Sequence, residues 1–238
     1  MRLNFKKLKR TVRRFFRNRS TYFSHIRITA QEEHCWLGNT YGGFFIAKNF
    51  INKNSIIYSI GVGEDISFDI DLIKMCNAKI LCFDPTPKSI AWFSRLPKNL
   101  KRNIKFFPIG IAPKTGIFDL MLPKNSNNIS GSIINQSSVN NLNKIKCQFK
   151  SLSDMMKDNK HAHIDLLKLD VEGAEYEVIE SLLKTNVSVK QIVVEFHDRL
   201  FSKKMPRSKK TICLLKEHGY SIFAHSDLFE EVSFIRLP

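Results

Sequence analysis

Residues 165–180 read Asp-Leu-Leu-Lys-Leu-Asp-Val-Glu-Gly-Ala-Glu-Tyr-Glu-Val-Ile-Glu. The apolar run over 165–170 is too short for a helix and is closed by a glycine turn, so it reads as a buried strand. Past Gly173 the chain enters a helix over 174–183. A strand that passes through glycine into a helix is half of a βαβ unit, and it points to a parallel sheet covered by helices. Asp170 and Glu172 then project from the carboxyl end of the strand, where open α/β sheets bind their ligands. Glu175, Glu177 and Glu180 read as a solvated helix face.

The same rhythm extends in both directions. Upstream, residues 56–61 form an apolar strand ending at Gly61, followed by a helix over 65–76. A second strand over 79–84 is closed by Pro85, a helix covers 87–95, and a third strand spans 104–110. Downstream come a strand over 191–196 and a helix over 208–218 that stops at Gly219. Strands over 220–224 and 232–236 close the chain as an antiparallel pair. Residues 114–150 interrupt the pattern. An added strand over 115–122 is expected there, then an Asn/Ser-rich loop over 125–143, which is either a substrate lid or a variable insertion. A short helix over 151–158 follows, with Ser153 as its cap. The sum is a Rossmann-like α/β domain over 36–238, with a mostly parallel sheet and an antiparallel C-terminal edge.

The chain has 238 residues and a formal net charge of +16. Ten Lys and Arg fall within residues 1–30, with no acid among them, so most of the basicity belongs to these residues of an N-terminal arm over 1–35. Phe5, Leu8, Val12, Phe15 and Phe16 recur at helical spacing, which makes residues 1–20 a basic amphipathic helix. Peripheral contact with an anionic membrane, packing on the domain, and a nucleic-acid arm all stay open for it. No apolar run is long enough for a transmembrane helix or a secretory signal, and a cytoplasmic protein is expected. The five cysteines show no C-x-x-C spacing and read as reduced core residues.

The candidate chemistry gathers at the strand ends. In Ile-Gly-Val-Gly-Glu-Asp (60–65), Gly61 and Gly63 let the backbone approach a ligand, and the following helix aims free N–H groups at it. A dinucleotide fingerprint would need glycine where Ile66 stands, which argues against a nicotinamide oxidoreductase. Glu64 and Asp65 suit a ligand carrying positive charge. Asp84 lies 21 residues after Gly63 at the end of the second strand, where a carboxylate accepts hydrogen bonds from both hydroxyls of a ribose. In Val-Val-Glu-Phe-His (193–197), strand alternation puts Glu195 and His197 on one side, at the same edge as Asp170. His197 titrates in the range suited to a general base. A metal site built from Asp170, Glu195 and His197 is open, but carboxylates equally orient a hydroxyl, and no metal is assigned.

Taken in order, these segments resemble the FkbM-type methyltransferases. The resemblance rests on Leu-Lys-Leu-Asp-Val-Glu-Gly-Ala-Glu (167–175) followed by Val-Val-Glu-Phe-His (193–197). Residues 58–69 and Cys-Phe-Asp-Pro-Thr-Pro (82–87) are similar to one branch of that family. It implies a class I methyltransferase fold with a seven-stranded sheet, S-adenosylmethionine as cofactor, and O-methylation of a sugar, glycan or secondary-metabolite hydroxyl. Cofactor contacts carry over to Gly61, Gly63, Glu64, Asp65, Asp84 and Gly110, with Glu172 at the substrate or cofactor edge. The wider pattern has an acid where Ser59 stands and a third glycine where Asp65 stands. His197 is expected to act as base, with Asp170 and Glu195 orienting the acceptor. An RNA-directed methyltransferase or RNA-binding module using the basic arm is the alternative. No Asn-Pro-Pro-Tyr-like base-flipping motif accompanies the arm.

Overall fold

The computed structural model describes residues 21–125, 129–201 and 205–237. The helix expected over residues 1–20 lies outside the described residues. Strands β1 (His34–Leu37) and β2 (Phe44–Ala47) form an antiparallel hairpin. There follow β3 (Ile57–Ile60), helix α1 (Ser67–Cys76), β4 (Ile80–Phe83), α2 (Pro87–Arg95), α3 (Lys98–Lys101) and β5 (Ile104–Phe107). Next come β6 (Gly110–Ile111), β7 (Gly116–Pro123), β8 (Val139–Lys150), α4 (Leu152–Asn159), β9 (His163–Leu169) and α5 (Glu175–Leu183). The chain closes with β10 (Ser188–Glu195), α6 (Arg207–Glu217), β11 (Tyr220–His225) and β12 (Glu231–Arg236).

The main sheet has seven strands in the order β11-β12-β10-β9-β3-β4-β5. Its central ladders are parallel, joining β10, β9, β3, β4 and β5. This is the Rossmann-like α/β architecture expected from the strand–helix alternation. Period-2 alternation sends Tyr58 and Ile60 to one face and Ile57 to the other. On the first face they pack with Met155 of α4, Ile179 of α5 and Leu215 of α6. On the second, Ile57, Ile80 and Val193 pack with Phe68 and Leu72 of α1 and Phe93 of α2. Each fully buried aliphatic side chain of this kind contributes about 1.5–3 kcal/mol relative to exposure. The β1–β2 hairpin is tied to the sheet by Gln191, whose buried amide accepts from the Ala47 N–H at 3.0 Å and donates to the Ala47 carbonyl at 3.1 Å.

The expected antiparallel C-terminal edge is present: β11 and β12 pair antiparallel, with β12 seated between β10 and β11 and antiparallel to both. Val232 through Ile235 are all buried, as a strand flanked on both sides requires. Three features differ from the sequence reading. The strand expected over 104–110 breaks at Pro108, and Gly110–Ile111 joins a separate three-stranded sheet of order β6-β8-β7. The loop expected over 125–143 ends early: from Val139 to Lys150 the chain is the long strand β8, paired antiparallel to β7. Finally, Ser151 caps α4 in place of Ser153, its side chain accepting from the Asp154 N–H. Among the five cysteines only Cys82 is fully buried, and all are free. Among the described residues, no helix is long and apolar enough to cross a membrane.

Candidate active site

The connections run from β3 outward to β4 and β5, then return across the sheet to β9 and β10. Strand order therefore reverses between β3 and β9, and a ligand cleft belongs outside the carboxyl ends there. A cleft does open at that point. It is lined by eight of the expected residues: Gly61, Gly63, Glu64, Asp65, Asp84, Gly110, Asp170 and Glu172. Glu195 and His197 do not line it.

The glycine turn after β3 has two distinct tasks. Gly61 has φ +79°, and a Cβ there would fall 1.6 Å from the Asp170 carbonyl oxygen, so this glycine lets β3 and the turn after β9 meet. Gly63 has φ +60° and open space where a Cβ would be. Its N–H donates to Asp84 Oδ2 at 2.8 Å. Asp84 Oδ1 accepts from the Thr86 N–H at 2.8 Å and from the Thr86 hydroxyl at 2.7 Å. Burial raises the Asp84 pKa, opposed by the bonds from Thr86 and Gly63. A carboxylate offers about four acceptor positions. Three are taken by the turn, so Asp84 has room for one ligand hydroxyl, not the expected two.

The other glycine and acid positions are also partly structural. Asp65 accepts from the Ser67 N–H at 2.8 Å and from Asn39 Nδ2 at 2.5 Å. It thereby starts α1 and fixes the β1–β2 turn, whose Tyr41 and Gly42 reach the cleft. Glu64 is the acid exposed at the cleft mouth. At Gly110 a Cβ would fall 2.2 Å from the Phe149 ring, so this glycine also seats β6 against β8.

Beyond β9, four acidic groups surround one imidazole. His197 Nε2 lies 3.6 Å from Asp170 Oδ1, 3.5 Å from Glu172 Oε2 and 3.5 Å from Glu195 Oε1. The ring is 0% exposed, and Nε2 has no hydrogen-bond partner. On its other side, Nδ1 sits 3.1 Å from the Glu195 carbonyl and 3.3 Å from Glu175 Oε1. Burial alone would lower the His197 pKa, but the carboxylates, Glu175 foremost, outweigh it and push it up to about 10. Burial and the Asp170 charge push Glu195 up to about 8. Sequence reasoning brought Asp170, Glu195 and His197 to one edge correctly. The structure places the His197 ring, the expected base, fully buried behind these acids and outside the residues that line the cleft. Glu195 likewise faces Arg199, whose guanidinium donates to Oε1 at 2.8 Å.

Glu175 is a further correction. It is not solvated but 0% exposed. Its Oε2 accepts from the Gly173 N–H at 2.8 Å and its Oε1 from the His197 N–H at 2.9 Å, joining the two turns. Burial would raise its pKa, yet His197 holds it below the usual carboxylate range. Helical periodicity carries the signal, because Glu175, Val178, Ile179 and Leu182 share the buried face of α5. Lys168 also went unassigned. A lysine inside an apolar strand flanked by parallel neighbours must be buried and paired. It is 4% exposed and donates to the Gly61 carbonyl at 2.7 Å. Glu177 and Glu180 are half-buried, paired with Arg207 and with Lys184 and Lys210. From the β7–β8 connection, Ile129 through Ile133 reach the cleft, and Ser132 Oγ donates to the Glu172 carbonyl at 2.8 Å.

Solved structures similar to this chain include a precorrin-6y C5,15-methyltransferase from Geobacter metallireducens, at 14% identity, TM-score 0.42, covering 79% of this chain and 81% of that one. The Methanococcus jannaschii fibrillarin pre-rRNA processing protein is similar at 13% identity and TM-score 0.43, covering 78% and 67%. Among curated proteins, the AMB antimetabolite synthetase AmbE of Pseudomonas aeruginosa is 31% identical over 87 residues. That segment is 36% of this chain and 4% of the synthetase, so the chain spans a small part of that relative. The family model described as the methyltransferase FkbM domain matches residues 52–222, from just before β3 into β11. That match takes in the glycine turn, Asp84, the carboxylate edge and His197, and the chain belongs to the FkbM methyltransferase domain family.

Proposed function

We propose that this methyltransferase binds S-adenosylmethionine in the cleft and methylates a hydroxyl of a sugar, glycan or secondary metabolite. One observation carries the reading: Asp84 and the Asp170–Glu172 pair leave the strands on either side of β3 and line one cleft across the Gly61–Gly63 turn. The residues fit the cofactor. Gly63 leaves open space beside a buried carboxylate with one free acceptor position, and Glu64 supplies a negative charge at the mouth.

When bound, S-adenosylmethionine supplies an electrophilic methyl group on a sulfonium. Asp84 would hold a ribose hydroxyl, and Glu64 would lie toward the positive end. Asp170 and Glu172 accept a hydrogen bond from the acceptor hydroxyl and align its oxygen for in-line transfer. A carboxylate of this edge would receive the proton that the acceptor hydroxyl gives up on methylation. Glu195 and His197 act from behind, positioning that pair. Ile129 through Ile133 serve as a lid wall over the acceptor.

Calorimetric titration with S-adenosylmethionine, followed by a labelled-methyl screen over sugars, lipid-linked glycans and RNA, tests the reading. Saturable cofactor binding and label on a sugar or metabolite hydroxyl are expected. Label in RNA alone would replace the acceptor class with nucleic acid, and absence of cofactor binding would sink the proposal.

A further inference from the structure

We propose that Asp170, Glu172 and His197 form a binding site for an oxygen-preferring divalent cation, Mn²⁺ or Mg²⁺. The acidic residues alone would not argue this; the imidazole does. His197 Nε2 is completely buried, lacks a hydrogen-bond partner, and is aimed among carboxylate oxygens 3.5–3.6 Å away. Those separations are too long for good hydrogen bonds. They match the spacing of atoms that share a cation. With metal–ligand distances of about 2.1–2.3 Å, neighbouring ligands lie about 3.0–3.8 Å apart. The ligand atoms of Asp170, Glu172 and His197 all fall within 4.8 Å of one another.

The far side of the ring supports the same assignment. A metal-binding histidine donates its other ring N–H to a carboxylate or backbone carbonyl, which fixes the tautomer. His197 Nδ1 sits against both, the Glu195 carbonyl and Glu175 Oε1. That tautomer directs the Nε2 lone pair among the carboxylates, and a bound cation there takes the place of the proton that an imidazolium would carry. Two carboxylates and one imidazole favour harder divalent ions such as Mn²⁺ and Mg²⁺ over thiophilic ones. Glu195 stays outside the ligand set because it holds Arg199. The adjacent acidic group of Glu195, Glu230 and Glu231 already has that guanidinium, with Arg199 3.8 Å from Glu230, and needs no ion.

Asp170 and Glu172 line the cleft, so coordination positions left over by the protein face it. There the cation polarises the acceptor hydroxyl; that role rests on the methyl-transfer reading above, whereas the site itself does not.

The test uses the full chain stripped with chelator and titrated with Mn²⁺ alone, following loss of the free-ion electron paramagnetic resonance signal. One Mn²⁺ per chain is expected, with nitrogen hyperfine coupling from a single imidazole in the bound spectrum. Asp170→Asn and Glu172→Gln should each weaken Mn²⁺ binding by more than about tenfold, while Glu175→Gln weakens it about 10–100-fold through the orienting contact. No saturable binding up to about 1 mM Mn²⁺, binding without nitrogen coupling, or an affinity in both ligand variants unchanged from the native chain would overturn the site. The nitrogen signal is read on the native chain, so it does not depend on any variant folding. A parallel titration with S-adenosylmethionine separates the two claims: Mn²⁺ bound without the cofactor ever binding removes the methyl-transfer reading and leaves the cation site standing.

Discussion

The two flanks of β3 hold their carboxylates by opposite means. On the β4 side, Asp84 is held by neutral donors of its own chain neighbourhood, the Gly63 N–H and the N–H and hydroxyl of Thr86. On the β9 side, Asp170, Glu172, Glu175 and Glu195 gather around one buried imidazole, and charge must be matched by charge. The first arrangement is a preformed cradle that stabilises a carboxylate chiefly by hydrogen bonds, with the Lys168 charge a minor addition. The second concentrates like charges at the place where an acceptor hydroxyl has to be aligned. Under the proposed function, binding belongs to the first flank and reaction to the second, and substitutions on either side should separate the two.

The largest separation is expected at Asp170. Asp170→Asn keeps the shape and removes the charge at the cleft wall. Turnover should fall about 10²–10⁴-fold, the range set by losing a positioned acid–base group. Affinity for S-adenosylmethionine should be unchanged. A matching loss of cofactor affinity would mean that the flanks are not functionally distinct.

Glu175→Ala probes the same flank from within. It leaves the His197 and Gly173 N–H groups without their acceptor and His197 without its nearest charge partner. Breaking a buried pair in this way costs about 3–5 kcal/mol. Chemical denaturation should register that loss, with Glu177→Ala, half-buried on the same helix and paired with Arg207, costing less. Equal effects at the two positions would show that the acidic nest contributes nothing to the fold.

That contrast also shows how far the sequence could be read. Alternating strands and helices were legible because buried parallel strands are short apolar runs bounded by glycine or proline, as at 56–61 and 165–170. The Asp84 and Asp170 positions followed from that rhythm, since strand ends fix where side chains emerge. Glu175 was hidden among Glu177 and Glu180, and only its place in the 3.6-residue stripe with Val178, Ile179 and Leu182 betrays its burial. Strand β8 was masked by its Asn and Lys content. Its alternation of Ile145, Cys147 and Phe149 with Lys146, Gln148 and Lys150 is the period-2 pattern of a half-buried strand. The insertion of β12 between β10 and β11 was not legible at all, because a hairpin pattern does not say which of its strands meets the sheet.

On the binding flank, Asp84→Ala should weaken S-adenosylmethionine about 10–100-fold, the equivalent of one hydrogen bond to a charged group at about 1.5–3 kcal/mol. Turnover at saturating cofactor should survive. The measurement is a cofactor titration paired with saturating kinetics. A loss confined to turnover would move Asp84 to the reaction side and collapse the distinction.

The smallest effect is expected at Gly63, and its value lies in the comparison with Gly61 two residues earlier. Both have positive φ, so alanine at either carries a left-handed backbone penalty of about 1 kcal/mol. At Gly63 nothing stands within 4 Å of the added Cβ, so the penalty ends there and the methyl group projects into the cleft. At Gly61 the same Cβ would fall 1.6 Å from the Asp170 carbonyl, and the junction of β3 with the reacting edge must move. Gly63→Ala should therefore fold, lose about 1 kcal/mol in denaturant titrations, and bind the cofactor more weakly. Gly61→Ala should lose more stability and lose turnover with it. If the two variants behaved alike, the glycine turn would be a simple loop requirement, and the division between its cofactor-facing and Asp170-facing halves would be wrong.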